Sequence, residues 1–551
     1  MPRAERLLVA AAAAAAALPI VVSTITVVGD GWVPFADDAL IATSALDVLT
    51  GGSPLLGPWS SGYTTITGEN TFHPGPLLFW LLAVPARVLG PAALEVTAAL
   101  VNVACVIGVV ALAQRRGGRA LALVTAGAVG LMLASLPAES YSDIWNPSVP
   151  LLPFTLLLFL AWSLASGEHR LLPVTVLVAS FLPQCHLGFL VPAAGVFAVG
   201  VGGLALARRW RPEPGAGSLR PWLVASGVVG LACWSAPLAD QVVNRPGNGV
   251  LIARAATTGQ ATVGLDSAWR AVVHTVGLPP WWLREPQAGL ERTVDLVTGP
   301  GVVRVLSALT VLAALAALVA IGRRRRRPDV LAVGALGLVL CAALLVVVRS
   351  TPESSAATLV YSLRWASPAG MWVWVALGWS LATLLPAAPR PGPRAARALT
   401  AAGLAVAAVV GVVVAADGRL KPEPYDAVGT VADRLDAALP AGAGVRVDVS
   451  SSPDGSFMAL GFGSAVVYAL RRDGRPVTAP TYANYLGGEY GDGAGSTAAP
   501  PERVVHLAVD SAPPPGGRTL ARMTLVDHPD PEGPPSGRPS PRRVLAVTLT
   551  P

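Results

Sequence analysis

Two carboxylates, Asp37 and Asp38, stand side by side in the stretch GDGWVPFADDALIATSALDVLTGG, where an apolar run gives way to an amphipathic one. A carboxylate there can take a proton from an attacking hydroxyl or orient a metal ion. The pair also has an ordinary structural use: Asp37 as a helix N-cap, Asp38 meeting the helix dipole from the first turn. Next comes His73-Pro74-Gly75-Pro76, whose prolines fix the entry to an apolar helix. Its imidazole can contact a ligand or simply sit in the turn. Asp143, with Trp145-Asn146-Pro147, offers a further acid in a polar loop. Gln184, His186, Arg349 and Arg364 are donors and cations of the kind that stabilise developing negative charge. The two arginines lie near the ends of apolar segments, where snorkelling to an interface also accounts for them. Gln184 and His186 break a short apolar helix, and polar groups there are costly unless they line a cavity.

These residues need a scaffold, and the composition says which kind. Of 551 residues 53% are hydrophobic and only 13% charged, with mean hydropathy +0.57. That excludes an ordinary soluble domain and requires several membrane spans. The net charge of +7 is no nucleic-acid footprint, because the arginines sit in short clusters between apolar segments, where they set membrane orientation. The four cysteines lie in or beside apolar segments, so neither a disulfide framework nor a CxxC metal pair is present.

The first apolar run, 7–28, reads as a retained helix with a cytoplasmic N-terminus, a signal peptide being the rival reading. The loop that follows is then outside. In it Ile41, Ala45, Val48 and Leu49 form an apolar stripe opposite Thr43, Asp47 and Thr50, as in a helix lying on the membrane surface and ended by Gly51-Gly52. Residues 76–89 are too short to cross and are read as re-entrant or interfacial. The segments 92–113, 120–136, 149–165, 171–183, 187–207, 222–239, 302–321, 330–348, 368–385 and 399–416 then alternate across the bilayer. About eleven spans result, with each strongly basic loop inside. The fold class expected is a polytopic α-helical membrane domain, 1–416, with its first outer loop at 29–91. A soluble extracytoplasmic α/β domain, 417–551, follows. In it, helices are expected at 425–439 and 457–471, strands at VRVDV, PVTAP, RVVHLAV and RRVLAVTL, and a loose Pro/Gly-rich connection at 512–541.

DDALIATSALDVLTGG, then HPGPLLFWLLAVPARVLG, then a span ending in QRRGGR, resembles the start of the GT-C superfamily of membrane glycosyltransferases. The nearest pattern is that of glycosyltransferase family 39, the protein O-mannosyltransferase and aminoarabinose-transferase type. The likeness covers about the first 165 residues. Asp38 stands where Glu is common, and Gly75 where the family has proline. The resemblance implies an inverting transferase acting on the outer membrane face, with a polyprenyl-phosphate sugar donor and a glycan, lipid or protein acceptor. It implies Asp37 or Asp38 as base, Asp37 matching the first acidic position, and a further acid near the donor at the place of Asp143. His73, His186, Arg349 and Arg364 are then the candidates for donor and phosphate binding. A divalent metal, if used, would sit at Asp37 and Asp38. Two other functions fit the composition: a lipid-sugar flippase or transporter, which needs polar residues along the middle of several spans, and a non-catalytic anchor for the C-terminal domain.

Overall fold

A computed structural model of the chain describes residues 3–210, 218–284, 290–385, 409, 413, 423–492, 502–526 and 542–551. The chain opens with α1 (Arg3–Gly29), an apolar helix of 27 residues. Next come α2 (Asp37–Asp47), α3 (Ser61–Thr67) and α4 (Leu77–Val88). At 1.5 Å per residue α4 is only about 18 Å long, well short of a ~30 Å hydrocarbon core. Its Trp80, Val84 and Val88 stay exposed along one side. α5 (Ala92–Ala134) is two helices end to end: Gly117 and Gly118 leave helical backbone, Gly118 at φ +66°. The division falls in QRRGGR, where the sequence separates two spans.

α6 (Glu139–Ser142), α7 (Leu151–Ala165), α8 (Leu172–Cys185), α9 (Leu190–Trp210) and α10 (Arg220–Val243) follow. All of α7 but Leu156 is buried, which explains why it is apolar on every side. α11 (Asn248–Ala255), α12 (Gly264–Val276) and α13 (Leu290–Val297) occupy the long segment before α14 (Val302–Arg324). The helical part closes with α15 (Pro328–Ser350), α16 (Leu359–Ser362) and α17 (Ala366–Leu384). Among the described residues six helices are long and apolar enough to cross a membrane: α1, α5, Leu187–Trp210, α10, α14 and α15. Of the expected span at 399–416 only residues 409 and 413 are described.

Basic loops gather at one end of the bundle. Arg115 and Arg116 both pair with Glu168, and the Trp162 indole donates to Asp329 O (3.1 Å) beside Arg327. The acid pair and the loops around residues 143–148, 184–188 and 361–364 meet elsewhere, as described below.

The C-terminal part holds α18 (Glu423–Ala438), α19 (Ser456–Arg472) and α20 (Ala483–Leu486), with strands β1 (Val445–Ser451), β2 (Val477–Thr478), β3 (Arg503–Val509), β4 (Arg518–Val526) and β5 (Arg542–Thr550). The sheet order is β2-β1-β3-β5-β4. β1 runs parallel to β2 and β3, and β5 antiparallel to β3 and β4. Helices and strands fall where the sequence puts them, with one correction. β4 lies inside 512–541, which the sequence reads as a loose connection. Its residues pair with β5 along an edge, where exposed arginines are tolerated.

A second correction concerns α2. The sequence reads it as a surface helix with Thr43 and Asp47 facing water. Both are buried, because α4 packs on one side of α2 and α19 on the other. The helix also stops at Asp47, before Gly51-Gly52, and Leu49 turns out into solvent at φ 64°.

Candidate active site

The acid pair sits in the first turn of α2, but Asp37 is no N-cap. The cap position is Ala36, at φ 50° and ψ −123°, and no side chain caps the helix. An alanine in that left-handed region costs ~1–3 kcal/mol. Freed from capping, Asp37 accepts a hydrogen bond at Oδ2 from the Trp145 indole N–H (3.0 Å). At the other end of α2 the Arg87 guanidinium of α4 donates to Leu46 O (2.6 Å) and Val48 O, satisfying terminal carbonyls.

Asp37 and Asp38 have different surroundings. Asp37 opens onto a narrow cleft lined by Ser44, Trp59, Phe79, Asn146 and Tyr485, with room for little more than a water molecule. Asp37 is exposed on that cleft, and desolvation by the protein packed about it raises its pKa above the ordinary value; the Trp145 N–H works the other way. Asp38 points inward. Burial, then the charges of Asp143, Glu95 and Asp37, hold its carboxyl well above the usual range, and it shares a hydrogen bond with Asp143. Asp38 therefore holds its proton to higher pH than an ordinary carboxyl, while Asp37 faces the cleft. A pair pushed apart in this way provides one base and one acid or donor.

The candidates from other loops converge here. Asp143 Oδ1 accepts from the backbone N–H of Trp145 (3.2 Å) and so orients that residue. Arg364, 3% exposed, lies over the Trp145 ring (5.5 Å to the centroid) and donates to Ser148 Oγ (3.3 Å). Tyr361 packs on the other part of the network: 5.0 Å from Trp145 and 6.2 Å from His186, ring to ring. His186 and His73 are in turn 4.9 Å apart. His73 is held by an antiparallel pairing of residues 57–60 with 71–73. Asn248 reinforces this, bonding both the N–H and the carbonyl of Phe72 while Asp240 holds its own N–H.

Both imidazoles are neutral near pH 7. Burial and the His186 charge push His73 well down, and burial takes His186 to about 4. Each Nδ1 accepts a backbone N–H, His73 from Leu187 (3.1 Å) and His186 from Gly188 (3.2 Å). Each ring must then carry its proton on Nε2, as a hydrogen-bond donor and not a cation.

Two candidates stand apart. Arg349 is exposed at the end of α15, and no hydrogen bond, ion pair or ring contact joins it to the cluster. Gln184 is fully buried; its Nε2 donates to Cys233 O (2.8 Å), and its Oε1 lies where a Cβ on Gly75 would come within 2.3 Å. Gln184 thus fills the space beside Gly75 and packs α8 against α10. Among the described residues no group of three or more His, Cys, Asp and Glu side chains could hold a metal ion.

Sequence reasoning missed Glu95, Trp59, Tyr361 and Tyr485. Glu95 is 2% exposed in the first turn of α5, where an acid reads as a dipole partner. The Trp59 Nε1 is buried in the cleft wall without a partner among the described residues, and its ring meets Tyr485 edge-on at 4.6 Å. Tyr485 comes from the C-terminal part, which no local pattern connects to Asp37.

No family model matches the sequence, and no curated protein matches it either. Solved structures do. The chain is similar in fold to ArnT. Against the crystal structure of ArnT from Cupriavidus metallidurans in the apo state, the TM-score is 0.45 at 14% identity, covering 98% of this chain and 97% of that one. Against the same protein bound to undecaprenyl phosphate, the TM-score is 0.42 at 12% identity, covering 92% and 96%.

Proposed function

We propose that this chain is an integral-membrane glycosyltransferase that moves a sugar from a polyprenyl-phosphate donor to an acceptor hydroxyl on the outer face, with inversion. The observation that carries the reading is the split between the two acids. Asp37 opens on the cleft beneath Trp59 and Tyr485, and Asp38 is sequestered behind it with Asp143 and Glu95.

Asp37 takes the proton of the acceptor hydroxyl, and the freed oxygen forms the new bond to the anomeric carbon. The bond from that carbon to the phosphate oxygen breaks on the opposite face. Its electron pair leaves with the lipid phosphate. Arg364 supplies a fixed positive charge for that phosphate, and the Nε2–H groups of His73 and His186 supply donors. Trp145 joins the two halves, since its N–H holds Asp37 while its ring carries Arg364. A sugar ring needs more room than the cleft offers, so Trp59 and Tyr485 part as substrate enters. The unpartnered Trp59 N–H is then available to a sugar hydroxyl. The basic loops around Arg115, Arg116 and Arg327, away from the acid pair, support the outer-face reading.

Transport finds less support. Asn102, a polar residue within the segment 92–113, donates to Tyr141 O (2.9 Å) inside the protein.

The test is transfer of radiolabelled sugar from polyprenyl-phosphate donors in membranes carrying wild type, Asp37→Asn or Asp38→Asn at matched expression. Loss of transfer in Asp37→Asn supports the mechanism. Transfer persisting in both variants removes the acid pair from it, and no transfer from any donor by wild type removes the transferase reading.

A further inference from the structure

The C-terminal part grips the helix that bears Asp37 at both ends. At the start, Ala36 lies between α2 and α19. Its carbonyl accepts from Ser464 Oγ (3.1 Å), a hydroxyl that has Gly461 O (3.0 Å) as its alternative acceptor, and its N–H points to Gly461 O (3.5 Å). Phe35 packs edge-on against Phe462, with centroids 5.2 Å apart. A Cβ on Gly461 would come within 2.5 Å of the Phe35 ring, so a glycine in mid-helix is what lets this turn approach. At the far end Asp47, 3% exposed, is held by the Arg471 guanidinium and by Tyr490 Oη (2.6 Å).

The backbone of Ala36 is the informative part. Its φ and ψ match the first central position of a type II′ turn, which glycine takes freely and alanine does not. An alanine stays there only if its surroundings hold it. Those surroundings are α19, 425 or more residues further along the chain.

We propose that Ser464 and Gly461 of α19 are positioning residues for the transfer reaction: they hold Ala36 in its left-handed turn and thereby aim the carboxylate of Asp37 into the cleft. The C-terminal part is on this account neither a lid nor a separate binding module. It is a structural half of the active site, acting through the backbone that precedes the base. The inference rests on Asp37 as the base, but part of its test does not.

The test is a double-mutant cycle of Ser464→Ala and Ala36→Gly in the full-length protein. Ser464→Ala should lower kcat by about tenfold or more, as sub-ångström to ångström misplacement of a catalytic group does, with KM for the donor within about twofold. Ala36→Gly in the same chain should restore most of that kcat, because glycine takes the turn without support. Thermal unfolding of the purified proteins supplies a readout free of the reaction. Ala36→Gly should raise Tm, and raise it more when Ser464 is absent. Additive effects of the two substitutions on both kcat and Tm would overturn the proposal. So would an unaltered kcat in Ser464→Ala when wild type transfers. If wild type transfers nothing, the transferase reading fails, and coupled or additive Tm shifts still decide whether α19 holds Ala36.

Discussion

Trp145→Phe separates the two jobs of one side chain. The substitution keeps a ring beneath Arg364 and beside Tyr361 and removes only the N–H that reaches Asp37 Oδ2 at 3.0 Å. A hydrogen bond to an ionised carboxylate contributes ~1.5–3 kcal/mol. Asp37 opens on the cleft, so solvent screening leaves roughly half of that. The lost bond raises the pKa of Asp37, and at about 1.4 kcal/mol per factor of ten the screened contribution corresponds to about three- to tenfold in the ionised fraction. The sign follows from the role. A base works when deprotonated, so a higher pKa moves the acid limb of the pH profile to higher pH. Below that limb, kcat/KM for sugar transfer falls about three- to tenfold. Well above it, the variant returns towards the wild-type plateau. The assay is kcat/KM against pH for both proteins with one lipid-linked donor. An acid limb that stays in place while the whole profile drops would refute the reasoning. It would show that the indole acts through packing and not through the carboxylate.

Four further outcomes are expected. Asp38→Asn mimics the protonated acid, so transfer should stay within about tenfold of wild type, whereas Asp37→Asn should lose ~10²–10⁴-fold. Because the folded pKa of Asp38 is raised, its ionisation costs stability as pH rises above the unfolded value of about 4. Asp38→Asn should therefore gain Tm over wild type at pH 7 and lose that gain near pH 4, by thermal unfolding. Gly75→Ala places a Cβ 2.3 Å from Gln184 Oε1 and 2.7 Å from Pro237 Cγ; overpacking of ~1–3 kcal/mol is expected, partly relieved by adding Gln184→Ala, again in thermal unfolding. Arg364→Lys keeps a charge but loses the planar stack on Trp145; kcat at saturating donor should fall about tenfold, and Arg364→Met further. A wild-type kcat in Arg364→Met would remove that residue from the mechanism.

The sequence makes Asp37, Asp38 and the His73 turn visible because each breaks an apolar pattern at a place where polarity needs a reason. Asp143, His186 and Arg364 are visible on the same ground, and the structure brings them together through Trp145, Tyr361 and the paired imidazoles. Arg349 satisfies the same rule and goes elsewhere, since snorkelling and ligand binding leave one signature. The errors have a common physical source. A helical period reports that one face of α2 differs from the other, but not whether the polar face meets water or a partner. Asp47 looks solvated until Arg471 and Tyr490 are seen against it, and Thr43 until its hydroxyl is found on Ala39 O inside the helix. β4 was hidden by the prolines and glycines around it, because composition averages over a window wider than an edge strand. Gly75 marks the converse: a departure from a proline pattern that becomes intelligible once Gln184 is seen to fill the same space.

The contact between Asp47 and Arg471 joins residues 424 apart in the chain. At ~5–20 residues per second of synthesis, the partner follows roughly 20–85 s behind. Throughout that interval the acid-bearing helix exists without the arginine, the tyrosine and the serine that hold it. A nascent chain can insert its first helices early, but α2 lacks these contacts until residues 461–490 are made and delivered to the same side. A chain that stops before Gly461 keeps the acid pair and lacks every one of those contacts.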